Sequence, residues 1–162
     1  MPQIDRVVWD TGVVIGLLEC LPDRHPLILP FVRDAEAGRL QIVIANTTVV
    51  EMQALRGLQQ KGATAETARE ILNDFWSQPY VIRRPLHHQL ADYAGELAYA
   101  HGIKRAADAV ALAMAVQEKI EVLHTFDGSG KKPGLIGLSG KVGTPPIRIE
   151  APNYARGTLF ES

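Results

Sequence analysis

The chain has 162 residues, of which 46% are hydrophobic and 22% are charged, and its formal net charge is −1. These values fit a globular protein of one domain and exclude a basic field over the whole surface, so nucleic-acid binding would need a local patch. No apolar run has the length of a membrane span, and the first residues lack the pattern of a signal peptide, so we expect a cytoplasmic protein.

Strands and helices alternate in the predicted order of elements. Apolar, β-branched runs predict strands at 4–9, 40–45, 80–84, 121–125 and 147–150. Apolar periodicity and stop signals predict helices at 13–20, 26–37, 48–60, 64–76, 87–101 and 105–119. This alternation predicts a three-layer α/β/α sandwich with a mostly parallel central sheet.

The chain is expected to form one domain over residues 1–162, with a Gly- and Pro-rich C-terminal extension from about residue 128. The extension has two alternatives, an ordered loop beside the site or a partly mobile segment. The single cysteine, Cys20, lies among leucines and is expected to be a small buried residue. One cysteine allows neither an internal disulfide nor a cysteine-rich zinc site.

Four acids stand where predicted strands end or helices begin: Asp10, Glu51, Asp108 and Asp127. Asp10 is set into the apolar run VVWDTGVVIGLL, where an unpaired charge would be costly. Because ligands of open parallel sheets bind outside the carboxyl ends of the strands, the four acids are expected to converge at one edge.

Each acid also has a purely structural explanation. Asp10 can cap the following helix, and Glu51 can complete a capping box with Thr48. Asp108 can favour the dipole in the first turn of its helix, and Asp127 can serve as a turn residue before a glycine. The coincidence of all four placements favours a shared site.

A cluster of carboxylates needs cations. Two unit charges 4 Å apart repel by about 4 kcal/mol at an effective dielectric constant of 20. Mg²⁺ and Mn²⁺ suit such a cluster because they are hard ions that prefer carboxylate oxygen. The five histidines are scattered and do not predict a zinc site, and His124 is interpreted as a structural residue.

Four stretches resemble the PIN-domain family, in particular the VapC-type toxin ribonucleases: VVWDTGVVIGLL, NTTVVEMQAL, AADAVALAMA and VLHTFD. The family has an acid after the first strand, a glutamate in a helix after the second, an acid that begins an Ala-rich helix, and a T-x-D motif after a later strand. Beyond Asp127 the chain reads GSGKKPGLIGLSG, which departs from the acidic or aromatic residue often found there.

This resemblance implies metal-dependent cleavage of RNA phosphodiester bonds, with Mg²⁺ or Mn²⁺ held by Asp10, Glu51, Asp108 and Asp127. It also implies a homodimer and a cognate antitoxin. Thr11 and Thr125 are expected to orient the acids or a water molecule through their hydroxyl groups. Lys104 and Arg105 are the best-placed cations for substrate phosphates, and Arg83–Arg84 and Lys131–Lys132 are further basic pairs.

The main alternative is a catalytically silent PIN-like module that binds RNA or protein, since the presence of the acids does not prove activity. A phosphatase of the haloacid-dehalogenase type is disfavoured because Asp10 is followed by Thr11 and Gly12 and not by the second acid of a D-x-D pair.

Overall fold

The computed structural model describes residues 3–154, so the outermost residues of the predicted domain lie outside it. Within this part of the chain, five strands form one parallel sheet in the order β3-β2-β1-β4-β5. The strands are β1 Asp5–Trp9, β2 Leu40–Ala45, β3 Val81–Arg84, β4 Val122–His124 and β5 Arg148–Glu150. The helices are α1 Thr11–Leu18, α2 His25–Glu36, α3 Asn46–Glu51, α4 Arg56–Gln60, α5 Ala65–Trp76, α6 His88–His101 and α7 Ala106–Gln117, with a 3-10 helix at Leu135–Leu138.

Helices cover both faces of the sheet, which confirms the predicted three-layer sandwich. Side chains alternate along β1, so that Val8 packs in the core formed with α6 and α7, whereas Val7 and Trp9 pack in the core formed with α1, α2 and α5. Helix α7 is buried along almost its whole length. Its alanines permit close packing against α6 and the central strands.

The sheet has its topological switch point at β1. Strands β2 and β3 lie on one side of β1, and β4 and β5 lie on the other. A crevice therefore opens between the carboxyl ends of β1 and β4, the position at which parallel α/β sheets bind ligands. Asp10 directly follows β1 and Thr125 directly follows β4.

The predicted helix at 48–60 is wrong as one element, because it is divided into α3 and α4 by residues 52–55. Met52 and Leu55, each 2% exposed, anchor the intervening segment in the core. Gly57 lies inside α4, where its N–H donates to Glu19 Oε1 at 3.1 Å. A Cβ at this glycine would lie 1.9 Å from Glu19 Oε2, so the absence of a side chain permits the contact between α4 and Glu19, the residue that follows α1.

The expected burial of Cys20 is also wrong. Helix α1 ends at Leu18, and Cys20 is exposed in the following turn with a φ of 52°. The leucines around it are partly buried, so the local composition indicated a burial that the turn does not provide.

The C-terminal extension contributes to the sheet as far as the structure describes it. The 3-10 helix packs beside β5, and β5 pairs with β4 as the edge strand. The strand predicted at 147–150 is confirmed as β5.

Among residues 3–154, none of the helices combines the length and the apolar character needed to span a bilayer.

Candidate active site

Asp10 lies at the switch point and is only 6% exposed. Its Oδ1 accepts a hydrogen bond from the Val13 N–H at 3.2 Å, and its Oδ2 accepts one from the Thr125 hydroxyl. Thr125 Oγ1 in turn accepts the N–H of Asp127 at 3.0 Å. The predicted helix-capping role of Asp10 is therefore real, and it leaves the carboxylate at the sheet edge that the sequence analysis identified.

The acids at this edge of the sheet interact electrostatically with one another. Burial raises the pKa of Asp10 to about 6, with a further increase from the charge of Asp108, against the lowering effect of its hydrogen bonds from Thr125 and Val13. Burial also raises the pKa of Asp108, and the charges of Asp127 and Glu51 add to this effect. The structure thus brings the four predicted acids to the same edge of the sheet.

Glu51 is the last residue of α3 and not part of a first turn. The predicted capping box with Thr48 is wrong, because α3 begins at Asn46 and its start has no side-chain cap. Instead, Glu51 Oε2 accepts from the Thr11 hydroxyl at 2.7 Å and from Arg105 Nη2 at 3.2 Å. The Glu51 side chain is one-third exposed, so this ion pair is a weak contact that can be exchanged.

Asp127 is exposed and anchors the loop that follows it. Its Oδ2 accepts from the Leu135 N–H at 2.9 Å, and its backbone carbonyl accepts from the Ile136 N–H at 3.1 Å. A Cβ at Gly134 would lie 2.3 Å from Asp127 Oδ1, so only glycine permits this approach. Residues 128–134 are therefore held against the fourth acid.

Three clefts meet around Arg105. One of about 580 Å³ is lined by Lys104, Asp108 and Asp127, and one of about 450 Å³ contains Asp10. A third, of about 600 Å³, is lined by Thr11 and Glu51. Arg105 lines all three, so a ligand in any of them would lie near this residue.

The donor chemistry of the site was tested for a metal ion. No group of three or more His, Cys, Asp or Glu side chains within residues 3–154 is arranged to hold one. Two of the four acids have other partners: Glu51 is engaged by Thr11 and Arg105, and the Asp127 carboxylate by the Leu135 N–H. Asp10 and Asp108 do fit a hard cation: both are 6% exposed, both have raised pKa values, and a divalent ion would offset their repulsion.

His124 is structural, as predicted. It is fully buried, and its Nδ1 accepts a hydrogen bond from Trp9 Nε1 at 3.2 Å. Its ring packs edge-on against Phe31 with the ring centroids 4.7 Å apart. This contact joins β1, β4 and α2 behind the acids.

Arg24 is a candidate site residue that the sequence analysis missed. Its guanidinium carbon lies 4.7 Å from the centroid of the Phe126 ring, within the cleft that contains Asp10. Arg24 precedes α2 in a turn between two prolines, and that context predicts a loop and gives no signal for a site.

The parallel sheet and its acidic crevice define an α/β sandwich with a carboxylate cluster at the topological switch point. The PIN domain family matches residues 7–132, and the chain belongs to this family. No curated protein matches the chain.

Three solved structures show the same fold at low sequence identity. VapBC2 from Rickettsia felis, bound to a DNA fragment from its promoter, has a TM-score of 0.56 and 20% identity and covers 76% of this chain and 89% of its own. Mycobacterium tuberculosis VapC20, described as a sarcin-ricin loop cleaving toxin, has a TM-score of 0.60 and 18% identity, with 75% and 90% covered. FitAcB from Neisseria gonorrhoeae has a TM-score of 0.54 and 16% identity, with 90% and 97% covered.

Proposed function

We propose that this protein is a metal-dependent endoribonuclease that acts in the cytoplasm as the toxin of a toxin–antitoxin pair. The observation that carries the proposal is the pair of buried carboxylates, Asp10 and Asp108, at the switch point of a PIN-domain sheet. Burying two acids with raised pKa values destabilises a fold unless a ligand compensates them, and such groups mark functional sites. The toxin, antitoxin and homodimer assignments rest on the family resemblance.

Asp10 and Asp108 would hold Mg²⁺ or Mn²⁺, with Glu51 and Asp127 as further ligands. The bound cation would supply Lewis acidity, lowering the pKa of the attacking water and stabilising negative charge on the phosphate. Thr125 fixes the Asp10 carboxylate and the backbone of Asp127, and Thr11 holds Glu51. These hydroxyl groups thereby orient three of the four acids.

Arg105 and Lys104 would bind substrate phosphates. Arg105 is paired with Glu51, but its side chain is 61% exposed and the pair is weak. A phosphate is a stronger partner for a guanidinium group because it accepts two parallel hydrogen bonds. Arg105 would then turn to the RNA and release Glu51 for the cation. Single-stranded or loop RNA fits the open clefts, because its backbone is accessible without unwinding.

The first test is cleavage of a labelled mixed-sequence RNA by the purified protein with Mn²⁺, Mg²⁺ or EDTA. We expect cleavage with either metal, none with EDTA, and a loss of more than about a hundredfold in Asp108→Asn. Asp92→Asn, an exposed acid on α6 outside the clefts, is the matched control and should cleave like the wild type. Equal cleavage by the wild type and Asp108→Asn would contradict the proposal.

A second test distinguishes the nuclease from the catalytically silent binding module. One observation favours the silent module: Glu51 and Asp127 are engaged by other groups of the protein. Mn²⁺ at a hundred times its dissociation constant should stabilise the wild type by about 2.7 kcal/mol, seen as a higher midpoint of thermal unfolding. Asp108→Asn should lose most of this shift, and Asp92→Asn should keep it. A wild-type midpoint that does not respond to Mn²⁺ would favour the silent module.

A further inference from the structure

The loop at 128–134 follows the last of the four family-like stretches and is not part of them, yet it lies beside the acids. It carries Lys131 and Lys132, which line the 450 Å³ cleft together with Asp10 and Asp127. Both lysines are exposed, and the loop is anchored by the contacts of Asp127 with Gly134 and Leu135. Asp127 therefore anchors the loop that carries Lys131 and Lys132 at the edge of the site.

Arg24 is a further cation of this cleft, besides the two lysines and Arg105. Its guanidinium group packs over Phe126, which is the residue between Thr125 and Asp127. A Cβ at Gly12 would lie 3.6 Å from both Arg24 Nη1 and Asp10 Oδ1. Gly12 therefore lies close to both the guanidinium group and the Asp10 carboxylate, which places Arg24 near the first acid.

These three cations are not neutralised by acids in ion pairs. None of the ion pairs formed within residues 3–154 involves Arg24, Lys131 or Lys132. Among residues 3–154, the carboxylates that line their cleft are Asp10 and Asp127, which the proposed function assigns to metal ions. With those acids occupied by metal, the cleft would present these three positive side chains, together with Arg105, to an anionic ligand.

We propose that Arg24, Lys131 and Lys132 form a phosphate-binding subsite for single-stranded RNA, taking a backbone phosphate next to the one that is cleaved. This inference rests on the proposed function and deepens it. Lys104 lines the neighbouring 580 Å³ cleft, which shares Arg105 and Asp127 with this one. An RNA backbone that occupies both clefts would therefore contact cations in each of them.

The test measures the binding of a fluorescein-labelled 12-nucleotide uridine RNA by anisotropy over a series of salt concentrations. Ca²⁺ replaces Mg²⁺ and Mn²⁺, so that a cation compensates the acids while binding is measured. Lys131→Gln/Lys132→Gln should weaken binding by roughly tenfold at low salt. It should also make the slope of log affinity against log salt shallower by about 1.4. Lys61→Gln/Lys141→Gln removes two exposed lysines outside this cleft and should leave both values unchanged. Arg24→Gln should weaken binding, and Arg24→Lys, which keeps the charge, should restore most of it.

Two results would overturn the subsite: equal binding by the cleft and control double variants, or equal competition by polyaspartate and unlabelled RNA. The binding experiment tests the subsite and the cleavage experiment tests the nuclease, so either hypothesis can be contradicted without the other. Lysine-dependent RNA binding without cleavage would support the subsite and contradict the nuclease. Cleavage with unchanged binding and rates in Lys131→Gln/Lys132→Gln would support the nuclease and contradict the subsite.

Discussion

Asp10→Asn is expected to stabilise the metal-free protein at pH 7.5 by about 1–2 kcal/mol while abolishing RNA cleavage. Burial raises the pKa of Asp10 to about 6 in the folded state, against an ordinary value of 3.8. The ionised carboxylate therefore destabilises the fold at neutral pH, by up to about 3 kcal/mol for a shift of this size. Asparagine removes the charge but weakens the bond from Thr125, so we expect only part of this gain.

The sign of the effect depends on pH. A raised carboxyl pKa means that the folded state binds the proton more tightly, so this destabilisation is absent below pH 3.8 and complete above pH 6. The stability difference between Asp10→Asn and the wild type should therefore increase between pH 4 and pH 6.5 in urea unfolding with EDTA. Asp10→Ala is the control, because it leaves the Val13 N–H and the Thr125 hydroxyl without their acceptor and should destabilise. If Asp10→Asn were less stable than the wild type at pH 7.5, the ionised Asp10 carboxylate would not destabilise the fold.

The fold was predictable where apolar periodicity and stop signals agreed. Strands β1 and β2 are β-branched runs ended by polar residues, and their predicted and observed limits differ by one residue at most. The break between α3 and α4 was not predictable, because Met52 and Leu55 also suit one continuous helix. Their burial depends on tertiary packing, and Gly57 has its partner in Glu19, far away in the sequence.

The placement of the site was predictable for a topological reason. Acids after parallel strands and at the start of the next helix share one sheet edge, so Asp10 and Asp108 could be paired without coordinates. The partners of the exposed acids could not be inferred. Glu51 contacts Thr11 and Arg105, and Asp127 holds a loop through backbone amides, which carry no sequence signature. Arg24 was missed because cation–π contacts join residues that are distant in the chain.

His124 is expected to make the protein sensitive to acid in the opposite sense from Asp10. Its burial, with a smaller effect from the charge of Arg148, lowers its pKa from 6.5 to about 3. The ring must be neutral, because Nδ1 accepts from Trp9, and among the described residues Nε2 has no hydrogen-bond partner. Protonation would leave a buried charge, so the unfolded state binds the proton first as the pH falls.

Stability from the neutral His124 is complete above pH 6.5 and is lost as the pH falls toward 3, by up to about 1.4 kcal/mol per pH unit. In the wild type, the effect of Asp10 opposes this loss between about pH 4 and 6. The free energy of unfolding of Asp10→Asn should therefore decrease more steeply than that of the wild type as the pH falls. The His124→Asn variant has no titrating ring at this position. At pH 7 it should be less stable than the wild type. Its own free energy of unfolding should increase from pH 6 to pH 4, relative to its value at pH 7. Imidazole proton shifts measured by NMR give a direct check that does not depend on the variants folding. If His124 titrates near pH 6.5 in the folded protein, the buried ring accepts a proton at little cost, and the acid sensitivity must have another origin.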